Sequence, residues 1–200
     1  RDKRDLLIDE LSKMVNVKVD ESEAGKFTVS IGGVTFVDHI DVSALKVEED
    51  SSNGDLIIKW GNDSKAKVES GELKGLLDLY NGDGVNNAYR GIKYYQKRLD
   101  DFAAGFATGF NKQHSKGYGL NSNSFAGDFF EYDKNNPAAT ITLSNAIIED
   151  LSNIAAAANE GGNPEDNGNL LKLISQRNTG DFGFNSSPDD FIKSIMSNYA

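Results

Sequence analysis

Ile92, Tyr95, Leu99, Phe102, Ala103, Phe106 and Phe110 recur at the three-and-four spacing of one helical face. Arg90, Lys93, Lys97, Asp101 and Lys112 fall mostly off that stripe. The spacing predicts a long helix over about residues 85–115. Burying each Phe or Leu of the stripe stabilises the fold by about 1.5–3 kcal/mol, so the rest of the chain should organise around it. Aromatics at helical spacing form core far more often than they line a ligand pocket, and core is the reading adopted here.

The period differs on the N-terminal side. Leu7, Leu11 and Met14 or Val15, widened by Leu6 and Ile8, mark a helix over residues 1–15. Alternation then takes over. Val15, Val17 and Val19 are followed by Phe27, Val29 and Ile31, then by Val34-Thr35-Phe36-Val37 after Gly32-Gly33, a pair suited to a two-residue hairpin whose turn positions both need φ > 0. Leu45 and Val47 suggest a further strand, Asp50–Asp55 a turn, Leu56–Trp60 its partner and Ala66–Val68 a short edge strand. Residues 16–70 therefore read as a small antiparallel β domain.

Leu73, Leu76, Leu77 and Tyr80 share a helical face that the Asn-Gly-Asp-Gly run at 81–84 should end. Beyond the long helix, residues 116–139 read as loop apart from Phe129-Phe130. Residues 141–158 fit either a strand (Thr140–Leu143) or a helix (Ile147, Leu151, Ile154). Leu170, Leu171 and Ile174 mark a short helix. A last helix starts at Ser187, a candidate N-cap before Pro188 and Asp189-Asp190, with Phe191, Ile192, Ile195, Met196 and Tyr199 as its apolar face. The expected fold class is α+β, an elongated helical body (residues 1–15 and 71–200) with the small antiparallel β domain at 16–70.

Charge and composition exclude several function classes. Lys and Arg number 21 against 31 Asp and Glu, a net charge of −10, which works against binding nucleic acid or an anionic membrane surface. Cysteine is absent, so disulfide frameworks, Cys zinc sites, iron–sulfur clusters and thiol nucleophiles are excluded together. No apolar run reaches the roughly 20 residues that span a bilayer, and no signal-peptide pattern is present. Arg1 and Tyr199-Ala200 both fall inside amphipathic segments, the expectation for a piece of a longer protein.

Catalytic signatures are equally sparse. The two histidines, His39 and His114, lie in no His-Glu-x-x-His arrangement, whereas catalytic zinc usually has three protein ligands. His39 is expected at a strand end, and His114 at the close of the long helix, where a cation or donor meets the last carbonyls. Neither a Gly-x-Ser-x-Gly elbow nor a phosphate-binding loop occurs. The acidic pairs Glu48-Glu49, Asp100-Asp101 and Asp189-Asp190 read as solvated surface. Asp50-Ser-Ser-Asn53-Gly-Asp55 and Asn81-Gly-Asp83 hint at calcium loops but lack the 12-residue ligand pattern, and turns explain them more simply. The sequence assigns no catalytic, cofactor-binding or metal residue and no cofactor, and nothing in it asks for an enzyme.

Five ordered motifs carry a resemblance. Asp2-Lys3-Arg4-Asp5-Leu6-Leu7 with Asp9-Glu10-Leu11-Ser12, then Gly71-Glu-Leu-Lys-Gly-Leu-Leu77, resemble successive blocks of the flagellar hook-associated protein 1 family. So do Leu99-Asp100-x-x-Ala103 through Asn111-Lys-Gln-His114-x-x-Gly117-x-x-Leu120-Asn121 to Gly127-x-Phe129-Phe130, the most specific of the set. Ile141-Thr-Leu143 to Ile154-Ala155-Ala156, and Asn167-x-Asn169-Leu170-x-x-Leu173, follow in the same order. Lys3 replaces the family's usual Gln, and Ser122 stands where Gly is frequent.

The resemblance implies a structural subunit at the hook–filament junction of the bacterial flagellum, outside the cell, exported without a cleaved signal peptide. It implies hook protein, hook-associated protein 3 and further copies of the chain as partners, and an export chaperone acting through a C-terminal segment outside this sequence. It turns 141–158 toward a short strand, a turn and a brief helix, makes 16–70 an outward-facing domain, and leaves the isolated fragment a monomer. Alternatives are a related axial protein (hook-associated protein 3 or a flagellin), against which the Asn111 to Phe130 block argues, and an extracellular adhesive, antigenic or enzymatic module.

Overall fold

In the computed structural model, which describes residues 2–22, 26–178 and 182–197, the change from helical to alternating period becomes a change of element. Helix α1 (Asp2–Met14) leads into β1 (Val17–Asp20), β2 (Thr28–Ile31), β3 (Val34–Asp38) and β4 (Asp41–Val42), an antiparallel sheet in that order. Gly32 and Gly33 take φ 55° and 85°, the two left-handed positions of a type I′ turn, and set the register Ile31↔Val34. Strands β5 (Leu45–Glu49) and β6 (Leu56–Trp60) form a separate hairpin with Leu45 opposite Trp60. His39 lies in the tight β3–β4 turn at φ 56°, a strand end as expected.

Inward residues of both sheets meet in one apolar cluster. Val15, Ile31 and Trp60 are buried, and Leu11, Val17, Phe36, Leu45, Ala66 and Val68 pack against them. Ala66–Val68 forms no strand of its own; beside it lie a bridge from Lys65 to Lys59 and the bond from Ala66 N–H to Ile58 O (2.8 Å). Helix α2 (Glu72–Asn81) ends before Gly82, as the Asn-Gly-Asp-Gly run predicts.

The long helix α3 runs over Ile92–His114 and not from residue 85. Residues 83–90 instead form a loop closed by an antiparallel bridge between Asp83 and Arg90, with Gly84 N–H bonded to Tyr89 O at 3.0 Å, and Asp83 also ties its interior. Its Oδ1 accepts from the amides of Val85 and Asn87 at 2.9 Å each, offering these N–H groups a turn in place of a helical ladder. Those bonds hold the Asp83 carboxyl down at about 2. The stripe is also less completely buried than its period suggests: Ala103 is buried, but Ile92 and Leu99 remain 43% and 47% exposed.

The rest of the chain consists of short elements. Residues 116–139 are mainly loop, with β7 at Phe130–Glu131 and α4 at Pro137–Thr140. The ambiguous stretch contains both readings in series: β8 (Thr142–Leu143) pairs with β7, then come α5 (Asn145–Glu149) and a 3-10 turn at Leu151–Asn153. Helix α6 covers Gly168–Ser175 and α7 covers Pro188–Ser197. Ser187 caps α7, its Oγ accepting from Asp190 N–H at 3.2 Å and donating to the Asp190 carboxylate at 2.8 Å. Phe191 is buried and Met196 exposed on that helix; Tyr199 lies outside the described residues. The fold is α+β, and the chain divides into two compact units, Arg1–Tyr94 and Tyr95–Ala200. Among the described residues no helix is long and apolar enough to cross a membrane.

Candidate functional site

Polar residues concentrate where α3 ends. Asn111 and His114 continue the face that carries Ala103 and Ala107, and all four are buried. A buried amide or imidazole must find partners, and here the partners are the backbones of distant loops. Asn111 Oδ1 accepts from Phe129 N–H (3.0 Å) and Phe130 N–H (2.9 Å), while its Nδ2 donates to Phe130 O (2.8 Å). One side chain thereby holds the start of β7 against the helix. Ser144 completes that corner, donating from Oγ to Asp128 O at 2.6 Å.

His114 sits at the centre. Ala155 N–H donates to Nε2 at 3.0 Å, so the ring proton belongs on Nδ1, which donates to Gly127 O at 2.8 Å. Burial pushes the imidazole below its ordinary value, against smaller opposing effects of the Gly127 bond and the Asp128 charge. His114 closes α3 as expected, but its ring does not meet the last carbonyls of that helix: it is fully buried and committed through both nitrogens to Gly127 and Ala155. A ring with no free lone pair and no free proton is a poor general acid or base.

Asn169, at the start of α6, closes the node. Its Nδ2 donates to Ala155 O at 2.7 Å and its Oδ1 accepts from Gln113 Nε2 at 2.6 Å. The amide passes so close to Gly117 that a Cβ there would collide with Asn169 Nδ2, which is the physical requirement for glycine at 117. Gln176 Nε2 adds a bond to Gly109 O at 3.0 Å. The aromatic pair packs on the same face: Phe129 lies 5.0 Å from Phe110 and 5.2 Å from His114, centroid to centroid.

Asn111, His114, Gly117, Gly127, Phe129-Phe130, Ala155 and Asn169 were noted in the sequence as pieces of separate motifs. The structure brings them together in one place. Gln113 belongs to the Asn111-Lys-Gln-His114 motif, whereas Ser144 and Gln176 were not singled out. A signal for Asn111 and His114 did exist, since two polar side chains occupy the buried face of a predicted helix. Among the described residues no three His, Cys, Asp or Glu side chains gather to hold a metal ion. The turn at Asp50–Asp55 carries instead a lysine ammonium: Lys93 Nζ donates to Asn53 O (2.8 Å) and Asp55 Oδ1 (2.7 Å).

The family described as the flagellar hook-associated protein FlgK helical domain matches residues 1–130, a span ending at the Phe130 that Asn111 holds. Flagellar hook-associated protein 1 of Bacillus subtilis (strain 168) is 29% identical over 203 residues, covering 87% of this chain and 39% of that protein. The proteins of that name from Salmonella typhimurium and Salmonella typhi are each 26% identical over 164 residues, covering 74% of this chain and 28% of theirs. The chain thus spans well under half the length of these relatives. With the family's helical domain matched over residues 1–130 and the motif residues converging on one buried node, the chain belongs to the flagellar hook-associated protein FlgK family.

Proposed function

We propose that this chain is the folded body of a structural subunit that joins hook to filament, with no catalytic step of its own. The observation that carries the reading is the convergence of the motif residues on a node of side chain-to-backbone bonds that ties distant loops to α3. Rigid subunits suit axial assembly, where a contact between unlike surfaces that does not close generates a helical array. The partners in this reading are hook protein, hook-associated protein 3 and further copies of the same chain. Residues 1–15 and 71–200 form the body that packs into the axis, and 16–70 faces outward. Export proceeds without a cleaved signal peptide, with a chaperone acting on a C-terminal segment beyond this sequence.

Antibody raised against the fragment and viewed on native flagella by electron microscopy tests the location. A single band at the base of the filament, just beyond the hook, is expected. Labelling along the whole filament would point to a flagellin-like subunit, and labelling of the cell body alone to an adhesive module; either overturns the junction role. The full-length protein should also restore filament attachment in a strain lacking its junction protein. The isolated fragment should sediment as a monomer at all concentrations, and growth into large species would contradict that.

A further inference from the structure

Asn-Gly occurs three times, at Asn53-Gly54, Asn81-Gly82 and Asn167-Gly168. In such a pair no side chain on the glycine hinders its amide from reaching the asparagine carboxamide, and asparagine is thermolabile there. Two of the three are restrained. The Asn81 carboxamide is tied to the Leu56 backbone at 2.8 Å in each direction, and Gly82 is buried. Asn53 accepts from Asp55 N–H at 3.0 Å and donates to the Asp55 carboxylate at 2.8 Å. Asn167 differs: it is exposed at the start of α6, and its carboxamide makes no capping bond.

Asp166 sets the third pair further apart. Its Oδ2 accepts from Ala158 N–H at 3.0 Å and from Asn159 N–H and Nδ2 at 2.9 Å each. Anchored in this way, its Oδ1 accepts from Gly168 N–H at 2.9 Å, the proton that must leave when that nitrogen attacks. The Gly168 bond, with those from Asn159 and Ala158, holds the Asp166 carboxyl below its ordinary value against some desolvation, so it is ionised at neutral pH. Packing also requires the glycine, since a Cβ at 168 would lie 2.8 Å from Ala158 Cβ.

We propose that Asn167 is a site of self-catalysed deamidation with Asp166 as its general base, and that its conversion loosens the His114 node. Gly168 N attacks Asn167 Cγ as Asp166 takes its proton. The Cγ–Nδ2 bond breaks, and ammonia leaves carrying that proton, which produces a succinimide. Water then opens the ring at either carbonyl, giving aspartate or isoaspartate. Isoaspartate inserts a methylene into the backbone two positions before Asn169, whose bonds to Ala155 O and Gln113 depend on that register. The inference does not rest on the junction role.

The test incubates the full-length folded protein and follows the three asparagines by peptide mass and isoaspartate content. Asn167 should convert about tenfold faster than Asn53 or Asn81, each of which must first break two side-chain bonds. The three rates should converge in denaturant. Between about pH 6 and 8 the folded Asn167 rate should stay nearly flat, because Asp166 is ionised throughout, whereas in denaturant it should rise about tenfold per pH unit with hydroxide. Asp166→Asn should slow folded Asn167 about tenfold. Converted protein should exchange its Ala155 and Asn169 amides, bonded to His114 and Ala156, about tenfold faster than unconverted protein. Conversion of Asn167 no faster than that of Asn53 would overturn the site. A steep pH profile in the folded protein, or an unchanged rate in Asp166→Asn, would remove Asp166 as the base. Unchanged exchange after conversion would refute the coupling to the node. If Asp166→Asn does not fold, the pH profile of the unaltered protein decides the role of Asp166 alone.

Discussion

The residues around Trp60 and those around His114 are buried to similar depth, yet one cluster is apolar throughout and the other is threaded with hydrogen bonds. In the first unit, Val15, Ile31 and Trp60 close a core between the four-stranded sheet and the β5–β6 hairpin, whose backbone groups are paired in strand ladders. Side chains there need supply only apolar surface; even the Trp60 indole N–H is buried without an acceptor. In the second unit the strands β7 and β8 are two residues long and long loops cross α3. Their backbone groups have no ladder to join, so Asn111, His114, Ser144 and Asn169 satisfy them instead. Where regular structure is short, buried polar side chains take over the work of specifying the fold.

Removing a partner from each cluster separates the two modes. Trp60→Ala should cost the first unit about 3–5 kcal/mol, the range for deleting a buried large aromatic, read as faster amide exchange in β2. Trp60→Phe should cost less, because it also removes the unpartnered N–H. Asn169→Ala should cost the second unit about 3 kcal/mol, since the buried Ala155 O and the part-buried Gln113 amide lose their partner. The Ala155 and Tyr118 amides should then exchange much faster than those of β2. An equal loss of protection in both places would mean that the contrast between the cores is not energetic.

Acid should discriminate between them as well. The folded state holds the His114 imidazole below its ordinary 6.5, so the unfolded chain binds a proton the folded chain refuses. That contribution to stability is complete above about pH 6.5 and is lost as pH falls from there toward the folded value. The second unit should therefore show a lower denaturant midpoint at about pH 5.5 than at about 7.5, and His114→Gln should flatten the difference. The carboxylates held down at about 2, Glu48 and Asp83, lose their contributions only as pH falls from their ordinary values near 4 toward about 2, below that window. The smallest effect belongs to the surface: Leu7 is 56% exposed, so Leu7→Ser should shift stability by less than about 0.5 kcal/mol, measurable as an unchanged denaturation midpoint.

Local features could be read from neighbouring residues. The Gly32-Gly33 turn, the Ser187-Pro188 helix start, the alternation of Val29 and Ile31, and the stop after Asn81 each depend on side chains within a few positions. So did the helical period around Phe106, and so did the resemblance, which is a matter of order along the chain. The start of α3 was misread although the apolar stripe itself begins at Ile92: residues 83–90 close into a loop through the bridge between Asp83 and Arg90. His114 was misread because its partners, Gly127 and Ala155, stand 13 and 41 positions away. Nothing near His114 announces either of them.

Sequence alone therefore determined the main helices, the Gly32-Gly33 hairpin, the absence of thiol chemistry and the resemblance to an axial flagellar family, since period, residue type and motif order are carried by the chain itself. Tertiary structure alone decided that Asn111, His114 and Asn169 form one node, and that Lys93 fills the Asp50–Asp55 turn. A hydrogen bond between distant residues is set by where the backbone brings them, and a buried polar group is stable only once that partner has arrived.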